Sequence, residues 1–222
     1  MANVNDLQKK MASLLDQTST VPTAGGDAWN LRLEYLNIAQ RDWVESYGWP
    51  TLYKEINTLT SQSTGLVTIS MPSDFRKIDG FLTIATSNNT VHEYPQILPE
   101  ERSQYLSTDR YFYLLGDPSG YSMVVNPGIH GSGVSVAYSY WSNGATLASP
   151  ADQTMCPDPN FLMYQASYYY WAAIDDGRFQ VAKFEAEKIL VRMLEYETVR
   201  GVSYSDRIKT QEELKGFRIG RN

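Results

Sequence analysis

The chain has 222 residues, of which 42% are apolar and 20% charged, with a formal net charge of −6. A chain of this length buries roughly 70% of its unfolded surface, and this composition argues against intrinsic disorder. The acidic balance argues against a protein that wraps nucleic acid with a basic surface, and a lone cysteine, Cys156, excludes an internal disulfide and any Cys-only metal site.

No apolar run is long enough to span a bilayer, and the first residues, MANVNDLQKK, carry no hydrophobic signal core. The expectation is a protein made in a reducing cytoplasm, with no membrane partner. Tyrosines number 16 against 7 phenylalanines. Tyrosine suits half-buried positions, so this excess fits subunit contacts and a tyrosine-rich sheet alike.

Residues 4–16 predict a short helix with Val4, Leu7, Met11, Leu14 and Leu15 on one stripe. QTSTVPTAGG, 17–26, reads as a loop. From Asp27, a plausible N-cap, a long amphipathic helix follows. Its apolar positions are Trp29, Leu33, Leu36, Trp43 and Tyr47, flanked by Tyr35, Ala39 and Val44 and interrupted by Gln40. Gly48-Trp49-Pro50 ends it, because proline lacks an amide donor and disfavours the α conformation just before it.

Beyond Pro50 the period changes to that of strands. Leu66–Met71 and Ile78–Ala85 read as strands separated by Pro72-Ser73-Asp74, with a turn at Ser87-Asn88-Asn89. HEYPQILPEERSQYL, 92–106, reads as a connection with Pro99 at a helix N1 position. Tyr111–Leu115, Tyr121–Val125 and Val134–Trp141 give further strands, the last alternating Val134, Val136, Tyr138 and Tyr140 against Ser135, Ala137, Ser139 and Trp141. Helical signals return at Asp158-Pro159 and run to about Ile174. Asp175-Asp176-Gly177 is a tight break, and a second helix spans Arg178 to about Arg200 with Phe179, Ala182, Ala186, Ile189, Met193 and Tyr196 in register. So short a connection predicts an antiparallel helical hairpin.

This order predicts a mainly α fold with an inserted β module (α+β), a helical bundle interrupted by a small antiparallel β-sheet domain. The expected domains are 1–55 with 156–200 for the bundle, 56–145 for the β-rich module, and 201–222 for a C-terminal extended arm.

Chemistry is hard to find in this sequence. His92 and His130 lie in turn-like regions without carboxylate partners at metal-ligand spacing. Cys156 precedes a helix, where a small apolar residue is ordinary filling. Gly128-Ile129-His130-Gly131-Ser132-Gly133 superficially resembles a phosphate loop, but a strand follows where a helix N-terminus is needed. The carboxylate pairs Glu100-Glu101, Asp175-Asp176 and Glu212-Glu213 read as solvated. The expectation is no catalytic residue, no metal and no cofactor.

Two blocks carry a resemblance: Asn37, Ala39, Gln40, Arg41, Tyr47 and Trp49 in the long helix and its end, then Pro72, Asp74 and Phe75 in the turn between strands. With Val125-Asn126-Pro127, the strand VSVAYSYW and the hairpin broken at Asp175-Asp176-Gly177, the chain resembles the head-to-tail connector (adaptor) proteins of tailed bacteriophages over roughly residues 27–200. The resemblance implies a structural virion protein, made in the host cytoplasm and located in the neck between capsid and tail. It implies a dodecameric ring of self-associated copies beneath the portal protein, with a downstream neck or tail protein as the other partner. DNA would pass through the lumen without sequence-specific binding, along acidic walls that do not hold phosphate. Other neck or tail-tube rings, and a carbohydrate-binding virion module, are the alternatives.

From Gly201 onward Arg207, Lys209, Lys215, Arg218 and Arg221 stand against Asp206, Glu212 and Glu213, a net of +2 that leaves −8 for the preceding residues. Such a tail is a loose terminus or an arm that orders on a partner. Leu214, Phe217 and Ile219 favour the arm, with Arg218 and Arg221 beside them as portal-docking residues. Trp29, Leu36, Trp43, Tyr47, Trp49 and Phe75 are the expected structural core.

Overall fold

The computed structural model describes residues 2–59, 66–85, 91–117, 120–126 and 135–199. They divide into a helical unit, Met1–Ala39 with Ala148–Asn222, and a β unit, Gln40–Leu147.

In the helical unit, Asn3 opens α1 (Val4–Leu15). Its side chain accepts from the Asp6 amide at 2.8 Å, and the Asp6 carboxylate accepts from the Asn3 amide, a reciprocal pair that satisfies two helix-end donors. Val4, Leu7, Met11 and Leu15 are buried on one stripe, as the helical period predicts. The Val4 amide also donates to the Asp152 carbonyl at 2.9 Å, which ties the start of α1 to the strap before α3.

The second helix, α2 (Asp27–Ser46), buries Trp29, Leu36 and Ala39 within this unit. Gln8 of α1 donates to the Trp29 carbonyl at 3.2 Å, and Arg32 pairs with Asp16 at the end of α1. Asp158 caps α3 (Pro159–Ala173) by accepting from the Asn160 amide at 3.0 Å, with Pro159 in the first turn where a missing amide costs nothing.

Asp175 takes a left-handed conformation, φ 54°, which lets the chain reverse into α4 (Phe179–Val199). Ala182, Ala186, Ile189 and Met193 of α4 are buried, in the predicted register. Tyr196, expected on that stripe, is exposed instead. At 21 residues α4 outruns the 15-residue α3, so its last turn has no α3 opposite.

The β unit holds seven strands: β1 (Tyr53–Leu59), β2 (Val67–Ser70), β3 (Phe75–Ala85), β4 (Val91–Tyr94), β5 (Tyr111–Asp117), β6 (Gly120–Asn126) and β7 (Ser135–Ser142). They form two antiparallel sheets, ordered β1-β7-β3-β4 and β2-β6-β5. Alternation along each strand turns one face of each sheet inward. Phe75, Leu82 and Ile84 of β3, Tyr94 of β4, and Val136, Tyr138 and Tyr140 of β7 meet Phe112, Met123 and Val125 of the smaller sheet in one core. On the smaller sheet's other face, Ile97 covers Tyr111, Tyr113 and Val124. The Ile97 amide reaches the Phe112 carbonyl at 2.9 Å, so the segment before the 3-10 helix Pro99–Gln104 runs along β5.

This corrects the expected fold. The chain is α+β, but not a helical bundle interrupted by a small sheet. Two sheets packed face to face make a β unit that takes up nearly half the chain. The difference comes from β1 and β4, whose sequences YKEINTL and VHEY carry too many polar residues to read as strands on their own.

Candidate functional site

The residues of the two sequence blocks behind the resemblance meet at the end of α2, inside the β unit. The last carbonyls of any helix lack intrahelical donors. Here side chains supply them. The Trp43 carbonyl accepts from the Trp49 indole N–H at 2.6 Å and from the Ser46 hydroxyl at 2.8 Å, and the Val44 carbonyl accepts from Arg76 at 2.6 Å. Trp49 folds back to stack on Trp43, ring centroids 5.3 Å apart, and Tyr47 meets Trp49 edge-on. Pro50 then starts a single 3-10 turn that leads into β1. Trp43, Trp49 and Phe75 are buried, and Tyr47 is half-buried. Gln40, which breaks the apolar stripe, is buried and donates to the Ala145 carbonyl.

Burial pulls the Arg76 guanidinium below its ordinary value, and the charge of Glu45 opposes this. Its Nε meets no acceptor among the described residues. Arg76 directly follows the Pro72–Phe75 turn, where the Phe75 amide closes onto the Pro72 carbonyl at 3.0 Å. The turn therefore delivers both Phe75 to the sheet core and Arg76 to the helix end.

The third member of the turn, Asp74, sits between Lys54 of β1 and Tyr140 of β7. Its carboxylate pairs with the Lys54 ammonium and accepts from the Tyr140 hydroxyl at 3.1 Å, while its carbonyl accepts from the Asn143 amide at 2.7 Å. Burial acts to raise the Asp74 carboxyl. The hydrogen bonds from Lys54 and Tyr140, with the Lys54 charge, outweigh it and hold the group below the usual carboxylate value. Burial first, then the Asp74 carboxylate, push the Tyr140 phenol up to about 12. A general acid or base works best when its pKa lies near the operating pH. Asp74 and Tyr140 are moved away from neutrality in opposite directions, which suits a clamp holding β1, the turn and β7 together.

Other chemistry-bearing residues also have structural partners. His92, half-buried on β4, has its Nδ1 2.8 Å from an Arg110 nitrogen. The buried Cys156 thiol donates to the Asp158 carbonyl at 3.3 Å, and burial pushes it up to about 12. Glu101 accepts from the Leu98 amide at 3.0 Å at the start of a 3-10 helix, and Asp176 is forked by Arg178, whose guanidinium lies 4.8 Å from the Trp171 ring centroid. Trp141, a candidate sugar platform, has Tyr53 edge-on at 5.2 Å and the Lys77 ammonium 5.9 Å from its ring centroid. Among the described residues, no group of three or more His, Cys, Asp and Glu side chains could hold a metal ion, and no helix is long and apolar enough to cross a membrane. His130, Glu212 and Glu213 lie outside the described residues, as do Leu214, Phe217, Arg218, Ile219 and Arg221.

Sequence reasoning did not find the Lys54–Asp74–Tyr140 cluster or the Arg76 contact. The three members of the first come from segments that only the strand pairing Lys54↔Tyr140 brings together. It also did not find that α4 presents Val181 and Phe184 to solvent, 65% and 63% exposed. No protein-family model matches the chain, and no curated protein matches it.

Proposed function

We propose that this chain is a structural virion protein: a head-to-tail adaptor that forms a ring beneath the portal and extends the DNA channel toward the tail. The observation that carries the reading is the meeting of the two sequence blocks that resemble the adaptor family. Arg76, next to the Pro72–Phe75 turn, closes the end of the helix that holds Asn37 to Tyr47, through its bond to the Val44 carbonyl. The conserved chemistry of such a junction is mechanical. It fixes a long helix to a sheet, as a protein under assembly load requires, and its polar groups serve as caps and clamps.

Two further features support the reading. Large apolar side chains on α4 face solvent, which is the usual mark of an interaction surface. The net charge of −6 suits a conduit that DNA slides through without adhering. In this proposal the tail from Val202 is an arm. Leu214, Phe217 and Ile219 fill apolar pockets on the portal, and Arg218 and Arg221 pair with its acidic groups. The test is to mix the purified chain with portal-bearing capsids and measure the mass added. A ring's worth of copies at the portal vertex is the expected result. No attachment, or attachment elsewhere on the capsid, overturns the reading.

A further inference from the structure

Two helices of the helical unit each leave a stripe uncovered, and the stripes match. On α4 the outward positions are Val181, Phe184, Lys188, Val191 and Glu195, spaced three and four residues apart in alternation; Val181, Phe184 and Val191 are 65%, 63% and 52% exposed. On α2 the outward positions are Asp27, Leu31, Glu34 and Ile38 at the same alternating spacing, with Leu31 43% exposed and Ile38 half-buried. That spacing is the seam pattern by which two helices interlock side chains.

Laid antiparallel, counting up α2 and down α4, the positions fall in step. Leu31 comes opposite Val191, Glu34 opposite Lys188, and Ile38 opposite Phe184. Two apolar layers thus flank one layer of opposite charge. Only the outer layer, Asp27 opposite Glu195, sets like charges together, at a solvent-exposed end where screening is strongest. A parallel alignment slips by one residue at alternate layers.

The flanks are complementary too. The exposed charges of α2 between residues 27 and 38 are Asp27 and Glu34, both acidic. Along α4 the exposed cations Lys183, Lys188 and Arg192 outnumber the exposed anions Glu187 and Glu195. Lys188 pairs with Glu185 of its own helix at 3.4 Å, in a surface contact weak enough to be shared. Both stripes are exposed in the same chain, so the chain does not satisfy its own pair. A second copy does.

We propose that α4 of one copy docks antiparallel on the first half of α2 of the next. The two surfaces differ, so the contact is heterologous. Each copy offers one donor and one acceptor face, and repetition gives a closed ring or an open helix. The inference deepens the ring reading above and rests on it for closure, but the contact itself can stand alone.

The experiment is sedimentation of the full chain over a concentration series. The wild-type chain is expected to form species larger than a dimer. Phe184→Glu and Leu31→Glu should each weaken association at least tenfold. The first keeps its α2 face and the second its α4 face, so an equal mixture of the two should stop at heterodimers. Lys188→Glu and Glu34→Lys should each weaken assembly, and the double variant should restore it, because every contact holds one of each. All these positions lie at the surface, and thermal unfolding checks that the variants stay folded. In a mixture of Leu31→Cys and Val191→Cys chains, mild oxidation should join one to the other.

Association that ignores Phe184→Glu and Leu31→Glu overturns the proposal, as does a mixture of those two that stays monomeric while wild type associates. A wild-type chain that stays monomeric at every concentration, with no disulfide in the mixed cysteine chains, overturns it as well. Filaments built through these faces would keep the contact and remove the ring. Failure to attach to portal-bearing capsids, with the contact intact, would remove the adaptor reading alone.

Discussion

The Tyr140 hydroxyl donates to Asp74 Oδ1 at 3.1 Å, joining β7 to the turn that begins β3, while Lys54 of β1 holds the same carboxylate. One acid thereby locks three segments that lie far apart along the chain. Its titration should be readable in stability. The folded-state Asp74 is held below the ordinary carboxylate value of 3.8, so its contribution is fully present above that value and is lost as pH falls through the folded one. Tyr140 is raised from 10 to about 12, so its contribution is fully present below pH 10 and lost as pH rises toward 12. Chemical denaturation of wild type and Asp74→Asn across both ranges should show the wild-type advantage shrinking at either extreme. A constant difference at all pH values would mean that the clamp does not act through charge.

Tyr140→Phe removes the hydroxyl and leaves Asp74 with Lys54. The expected loss is about 1–3 kcal/mol, the range for a hydrogen bond to a charged acceptor, measured as a lower denaturant midpoint at unchanged m-value.

Trp43 is fully buried, stacked on Trp49 at the end of α2. Trp43→Ala should cost about 3–5 kcal/mol, the usual range for emptying a large aromatic site in a core. A midpoint within experimental scatter of wild type would show that the helix end collapses around the loss.

Cys156 should be inert in the native state. Its thiol is buried and raised to about 12, so almost no thiolate exists at pH 8. A thiol-reactive chromogen should label the chain only as fast as it unfolds, and rapid labelling in native buffer would contradict the buried placement.

Deleting residues 202–222 should leave the described fold intact, by circular dichroism and thermal melting, while abolishing attachment to portal-bearing capsids. If the shortened chain attaches as well as the full one, the helical or β unit makes that contact and the arm does not.

The helices were legible because their periods are unambiguous. Val4 to Leu15 and Ala182 to Met193 bury the residues their spacing selects, and Trp49-Pro50 ends α2 as proline chemistry requires. Five of the strands were legible from alternation and turn residues. The division of those strands between two sheets was not, because partner choice lies in contacts across the core, which alternation along one strand does not encode. Four-residue β4, with His92 and Glu93 at its centre, has no pattern long enough to detect. Without β1 and β4 the sheet looks like a minor insert, and the fold class was misjudged for that reason. At the candidate site, Trp43, Trp49 and Phe75 announce themselves by size and spacing, whereas Arg76 looks like any surface arginine until the turn places it at the Val44 carbonyl.

The order β1-β7-β3-β4 puts the last strand made at the centre of the larger sheet. During synthesis β1 and β3 emerge with no neighbour between them, and each must wait for Ser135–Ser142 before its inner edge is paired. The unit therefore matures late and all at once, through pairings of long sequence separation that slow folding. In that interval two bare strand edges are available to wrong partners, including those of other nascent copies. For a protein synthesised in many copies at once, the passage through the open sheet, rather than the finished fold, is where yield would be decided.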